Sequence, residues 1–178
     1  MSIGRNRFNL YLVCLLALAV GAGCRTQAGK EKKQVATLRV HVEVIPEPMD
    51  FSSSVKIFRE KPILLTVDKG PFLTEANVSE AKVVDVPGGF DLQIKFDRQG
   101  TWLFEEYTTT HPGKHLAIFS AFVDKKKKQA RWLAAPLIQG RNSKGVLTFT
   151  PDANREECEA IVRGLNNVAE KNRKDSQW

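Results

Sequence analysis

Cysteine is scarce in this chain of 178 residues: Cys14, Cys24 and Cys158 are the whole complement. Cys14 lies inside an apolar N-terminal run and Cys24 closes it, which leaves Cys158 alone in the rest of the chain. A lone thiol has no partner within its own chain, so no disulfide framework is expected. A structural zinc site, which takes four ligands, is equally out of reach. Histidine is sparse too. His111 and His115 are four apart, but Pro112 and Gly113 break any helix that would bring both onto one face, and no metal site is expected. His41 falls on the polar face of a predicted strand and reads as solvated. Glycine-rich phosphate loops are absent. Ser52, Ser53 and Ser54 form a predicted loop with no base nearby to make a nucleophile. Glu105 and Glu106 are adjacent, so on a helix they point ~100° apart, a poor acid/base pair and a good solvated face. With no acid, base and nucleophile in one constellation, neither an enzyme nor a cofactor is expected.

What is present points to a globular chain. Hydrophobic residues make up 42% and charged residues 26%, enough for one domain whose core does not depend on crosslinks. The formal net charge is +7; with Arg5 and Arg7 assigned to a leader, 25 basic residues face 20 acidic ones. That excess suits anionic lipid headgroups or an acidic partner, and equally a solvated basic domain. Aromatic and basic residues do not interleave as a base-stacking surface requires, so nucleic acid is not an expected partner.

The N-terminus has the order of a secretory signal. Arg5 and Arg7 supply the charge, residues 10–22 the short apolar core, and Gly21, Ala22 and Gly23 the small residues before Cys24. The apolar run is shorter than the ~20 residues of a comfortable membrane span. A cysteine directly after Gly-Ala-Gly resembles the lipobox of bacterial lipoproteins, although Gly21 stands where that family usually carries leucine. The resemblance implies residues 1–23 as a lipoprotein signal peptide and Cys24 as the diacylated residue. An ordinary cleaved signal and an uncleaved anchor are the alternatives. Residues 24–35 then carry the lipid and a polar, lysine-containing tether, residues 36–170 a single domain, and residues 171–178 a polar tail that frays.

Along that domain, residues 37–44 alternate as a half-buried strand, Leu38, Val40, Val42 and Val44 against Arg39, His41 and Glu43. Further strands are expected at 55–58, 63–67, 81–86, 90–96, 116–122, 130–133 and 146–149. Thr74 caps a short helical turn, Asp97 caps a helix closed by His111 to Gly113, and Thr150 with Pro151 is expected to open a last helix whose buried stripe includes Cys158, Ile161 and Leu165. Cys158 reads as a small core residue. The class is α+β, a mainly antiparallel sheet with two packed helices. Between two strands, Asp124 runs into Lys125, Lys126, Lys127 and Lys128. This is either a basic fingertip for anionic lipid or an acidic protein, or a solvated hairpin whose charges block edge pairing.

Four stretches, in order, resemble the head subdomain of the first periplasmic domain of SecD, a membrane protein of bacterial export. They are Phe72 to Val78 followed by Ala81 to Val83; Phe96 to Gly100 running into Phe104; Gly113 to Ile118 with Ala135 to Ile138; and Gly145 to Thr150. Together they span about 61–168. The resemblance implies an α+β head, no catalysis, and contact with exported or envelope proteins outside the inner membrane. The alternative is a ligand-binding or structural lipoprotein that shares only the fold. The expected place is the bacterial cell envelope, membrane-anchored and facing the periplasm. Arg25 after the cysteine, in place of an inner-membrane-retaining Asp, favours the outer membrane.

Overall fold

The computed structural model describes residues 34–46, 52–125 and 127–176. Cys24 and Lys126 therefore lie outside the described residues, as do the leader and most of the tether. The elements are β1 (Thr37–Val42), β2 (Ser52–Ile57), β3 (Ile63–Asp68), β4 (Leu73–Thr74), a 3-10 turn (Glu75–Asn77), β5 (Val78–Val86), β6 (Gly89–Phe96), α1 (Arg98–Thr110), β7 (Leu116–Asp124), β8 (Lys127–Ala134), β9 (Val146–Phe149) and α2 (Arg155–Asp175). Every strand pair is antiparallel, in a four-stranded sheet β4-β1-β7-β8, a three-stranded sheet β5-β6-β9 and the β2–β3 hairpin. The α+β class with two helices is as expected.

Alternation decides which faces are buried. Leu38, Val40 and Val42 of β1 join Ile118 and Phe122 of β7 and Leu133 of β8 on one face of the four-stranded sheet. Ala81, Leu92, Ile94, Leu147 and Phe149 supply the matching face of the smaller sheet, and Phe104 of α1 with Cys158, Ile161 and Leu165 of α2 completes the core. Each large aliphatic or aromatic side chain buried this way contributes ~1.5–3 kcal/mol relative to exposure. The helix α2 also seals an edge. The Asn166 amide accepts from the Ala81 N–H (2.8 Å) and donates to the Ala81 carbonyl (2.9 Å), as a neighbouring strand would.

The second face of the four-stranded sheet carries a smaller cluster. There β2 and β3 lay Ile57, Leu65 and Val67 over Ala117 and Trp132. The hairpin joins β1 through the Val44 N–H to the Thr66 carbonyl (2.9 Å). At its turn, Phe58 has φ +71, a costly conformation for a bulky residue. The next residue clamps it: the Arg59 N–H and Nε both donate to the Asp152 carboxylate, at 2.8 Å and 3.1 Å.

Several local expectations are corrected. Ser52, Ser53 and Ser54 are not a loop but the first half of β2, paired with Asp68, Val67 and Thr66. His41 is not solvated: it is 7% exposed, because the β2–β3 hairpin covers the polar face of β1 there. Thr150 does not cap α2. Its hydroxyl donates to Asp91 Oδ1 (2.7 Å), and the cap is Asn154, four residues on, in a reciprocal capping box with Glu157. The helix continues to Asp175, through the Lys171 to Lys174 stretch read as a fraying tail. The caps at Thr74 and Asp97 are as expected; the Asp97 carboxylate accepts from the Gly100 N–H at 2.7 Å.

Candidate peptide-binding cleft

A cleft of about 710 Å³ opens between β9 and the segment 136–142, with Phe104 and Thr108 of α1 and Leu116 of β7 at its back. Its chemistry follows from strand alternation. The Phe96 N–H donates to the Gly145 carbonyl (2.9 Å), and the β6–β9 register then makes Ile94–Leu147 and Leu92–Phe149 the hydrogen-bonded pairs. Val146 and Thr148 consequently turn their main-chain groups away from β6, towards the free edge of β9. Asn142 Nδ2 donates to the Val146 carbonyl at 3.0 Å. The Thr148 N–H and carbonyl receive no such partner from the described residues. The Thr148 hydroxyl is on the other side of the question, accepting from Gln93 Nε2 at 3.3 Å on the solvent face of the sheet.

The facing wall obeys the same rule. The Leu116 N–H donates to the Pro136 carbonyl (2.9 Å), the Ile138 N–H to the Lys114 carbonyl (2.8 Å), and the Gly113 N–H to the Ile138 carbonyl (2.9 Å). Residues 136 and 138 thus spend their main-chain groups on the strand beside them. Leu137, bridged to His115 as a non-hydrogen-bonded pair, turns its own away from that strand. The Leu137 side chain is 50% exposed.

The loop beyond is fastened to α1. The Asn142 N–H donates to Thr108 Oγ1 (3.0 Å), and Arg141 Nε donates to Glu105 Oε1 (2.7 Å). Arg141 also borders an adjoining groove of about 350 Å³ on α1, where Trp102 is 63% exposed. Arg141 thus borders two grooves, one with the exposed Leu137 and the other with the exposed Trp102. Such an arrangement, two strand edges with unspent main-chain groups beside exposed apolar anchors, suits an extended polypeptide that adds as a strand.

Sequence reasoning missed this cleft. Ala135 to Ile138 carried the resemblance but no site, and residues 136–142 have no periodicity that would announce an edge. The residues it did single out are elsewhere. Lys125 sits at the β7–β8 turn with φ +44 and forms an ion pair with Glu156, whose carboxylate raises the lysine pKa. Lys127 and Lys128 lie exposed on β8. None of these three lines the cleft.

The histidines do not converge. His111 Nδ1 lies 2.8 Å from Thr110 Oγ1 and 3.1 Å from the Tyr107 carbonyl, whereas His115 Nδ1 lies 2.8 Å from Glu43 Oε2. Burial alone would raise the Glu43 pKa, but hydrogen bonds from the His115 ring and N–H hold it below the usual value. His41 Nδ1 meets the Asp68 carbonyl at 2.7 Å with Trp132 edge-on at 5.3 Å, and burial pushes its pKa down. Burial pushes the Cys158 thiol up to about 12, the behaviour of an inert core residue. Among the described residues no three His, Cys, Asp or Glu side chains form a metal-sized group, and no helix is long and apolar enough to cross a membrane.

No protein-family profile matches the chain, and no curated protein sequence does. Solved structures do. One is SecDF, a membrane component that enhances protein export: 20% identity, TM-score 0.52, covering 83% of this chain and 69% of that one. Another is SecDF in a super-membrane-facing form: 23% identity, TM-score 0.52, covering 83% of this chain but only 21% of that one. The likeness is wider than the residues 61–168 that carried it in sequence, since it covers 83% of the chain. At these identities it is a likeness of fold: the domain has the α+β, SecD-head-like fold that its sequence resembles.

Proposed function

We propose that this chain is a non-catalytic, lipid-anchored cell-envelope protein whose cleft binds an extended segment of another protein by strand addition. The carrying observation is the pair of facing edges at Thr148 and Leu137, each with main-chain groups directed away from its own neighbour strand. Main-chain bonds would supply affinity without regard to sequence, and Leu137 and Trp102 would select apolar side chains. The fold it shares with a component that enhances protein export makes exported or envelope proteins the natural partners. Acylation of Cys24 would hold the domain at the membrane surface, facing the periplasm.

A photo-crosslinking residue at Leu137 in the full chain tests the cleft in cells. Crosslinks to envelope proteins are expected, and Thr148→Pro should remove most of them. Proline is tolerated on an outward-facing edge position and deletes one donor, so the fold should survive. Equal crosslinking in both variants would sink strand addition. The anchor has its own test: Cys24→Ser should move the protein from the membrane to the soluble fraction, and retention in the membrane would mean an uncleaved leader.

A second reading draws on the cleft volume of about 710 Å³, which falls in the size range of small-molecule pockets. Under it, native mass spectrometry of the purified protein would find a small molecule bound, and Thr148→Pro would leave it in place.

A further inference from the structure

We infer that the uncovered part of the second face of the four-stranded sheet docks on an anionic lipid surface. The β2–β3 hairpin covers this face around His41, Ala117 and Trp132. Farther along, Thr37, Ala121 and Ala130 stand in one row across β1, β7 and β8, and Val123 and Lys128 pair in the next. These small and apolar side chains line a trough of about 320 Å³. Val35 lies at its edge, 62% exposed. An apolar strip left open on a sheet face marks a contact surface.

Two observations name the occupant. The first is charge. The trough ends at the β7–β8 tip, where Lys128 lines it and Lys127 is exposed beside it, neither in an ion pair among the described residues; Lys125 at the turn is held by Glu156 of α2, on the other side of the sheet. Apolar side chains bordered by lysines match the acyl boundary and headgroups of an anionic leaflet. The second is reach. The chain enters the domain at Gln34 and Val35, beside the trough, ten residues after Cys24. Ten residues extend to at most about 35 Å. The entry touches both sides of the sheet, since Val35 borders the trough while the Gln34 carbonyl accepts from Asn167 Nδ2 of α2 (2.8 Å); reach therefore brings the end of the trough near the bilayer, and the lysines select the face. The reach depends on the proposed lipid at Cys24; the strip and its lysines do not.

The test uses the full acylated chain carrying Ala130→Cys, labelled with a fluorophore that brominated lipid quenches. Cys158 is buried and its thiol is pushed up to about 12, so it takes no label in the native protein. The mass of the labelled protein separately reports the anchor, because an unacylated Cys24 adds a second label and an uncleaved leader adds Cys14 as a third. Thr109→Cys on α1, which packs on the opposite side of the sheet, is the control position. In low-salt vesicles of phosphatidylglycerol and phosphatidylcholine in equal parts, quenching at residue 130 should exceed that at residue 109 about threefold. It should fall towards the control in phosphatidylcholine alone, or with Lys127→Ser and Lys128→Ser together. Equal quenching at both positions overturns the inference. So does a change at residue 130 without lipid that grows with protein concentration, which would assign the strip to a second copy of the chain.

Discussion

Gly164 of α2 lies where the helix meets the entry of the chain into the domain, and replacing it with alanine puts a defined load on that contact. A Cβ at this position would sit 2.5 Å from the Ala36 nitrogen, 2.6 Å from the Ala36 Cβ and 2.8 Å from the Val35 carbonyl carbon. Two of the three are backbone atoms, and the third is a Cβ fixed to the backbone. No side-chain rotation relieves them, so the helix or the start of β1 must shift. Overpacking of this kind costs ~1–3 kcal/mol, here near the top of the range because nothing flexible can yield. Removing a helical glycine returns ~1 kcal/mol through helix propensity. The net expectation is a loss of about 2 kcal/mol, which for a domain of this size lowers Tm by about 8 °C. Thermal unfolding followed by circular dichroism reads the first number. Amide exchange reads the second consequence: the Leu38 N–H, bonded to Glu75 Oε2 at 3.1 Å, should lose protection before the β7 amides do. An unchanged or higher Tm would refute the reasoning, since it would mean that the entry segment is not seated against α2.

Three further outcomes are expected. Asn166→Ala leaves the Ala81 N–H and carbonyl unpaired, so it should cost about 1–3 kcal/mol in urea unfolding and increase light scattering as the β5 edge opens. Stability should decline on acidification in two stages. Burial pushes the His41 pKa below its ordinary 6.5, so the unfolded chain takes up the proton first and stability is lost as pH falls through that value. Glu43 and Glu157 follow at lower pH. Burial would raise each, but bonds from His115 and from Arg131 with the Asn154 N–H hold them below the ordinary carboxylate value, and their contribution is lost as pH falls through the folded-state pKa. His41→Asn should flatten the first stage in pH-dependent unfolding and leave the second; a profile identical to wild type would remove His41 from the account. Cys158 should react with iodoacetamide only after denaturant is added; modification of the native protein would show that the helix face opens.

The sequence was legible where the determining contacts are local. The alternation of β1, the Asp97 cap three residues before Gly100 and the apolar stripe around Cys158 each follow from neighbours within a few residues. His41 was misread because alternation gives the face of a strand and not what lies over it; its cover comes from Val55, Val67 and Asp68 on a separate hairpin. The α2 start was misread because Thr-Pro is a good local opening, and the structure uses Asn154 with Glu157, a pair that Arg131 of β8 reinforces. Ser52 to Ser54 have weak strand character and are strands because β3 pairs with them. The cleft was invisible because an open edge is defined by the neighbour a strand lacks, and nothing in residues 136–142 or 146–149 states that.

The placement of β1 has a consequence for how the molecule is made. This strand, near the start of the domain, lies between β4 and β7, and Thr37 pairs with Ala121, 84 residues later. A chain produced from its N-terminus can therefore pair β1 with β4, β2 with β3 and β5 with β6 early, but its four-stranded sheet waits for β7 and β8. One edge of the first strand stays open until β7 emerges, although β4 can cover part of the other much sooner. Assembly of the four-stranded sheet is a late event, and the core it shares with β9 and the last helix closes later still.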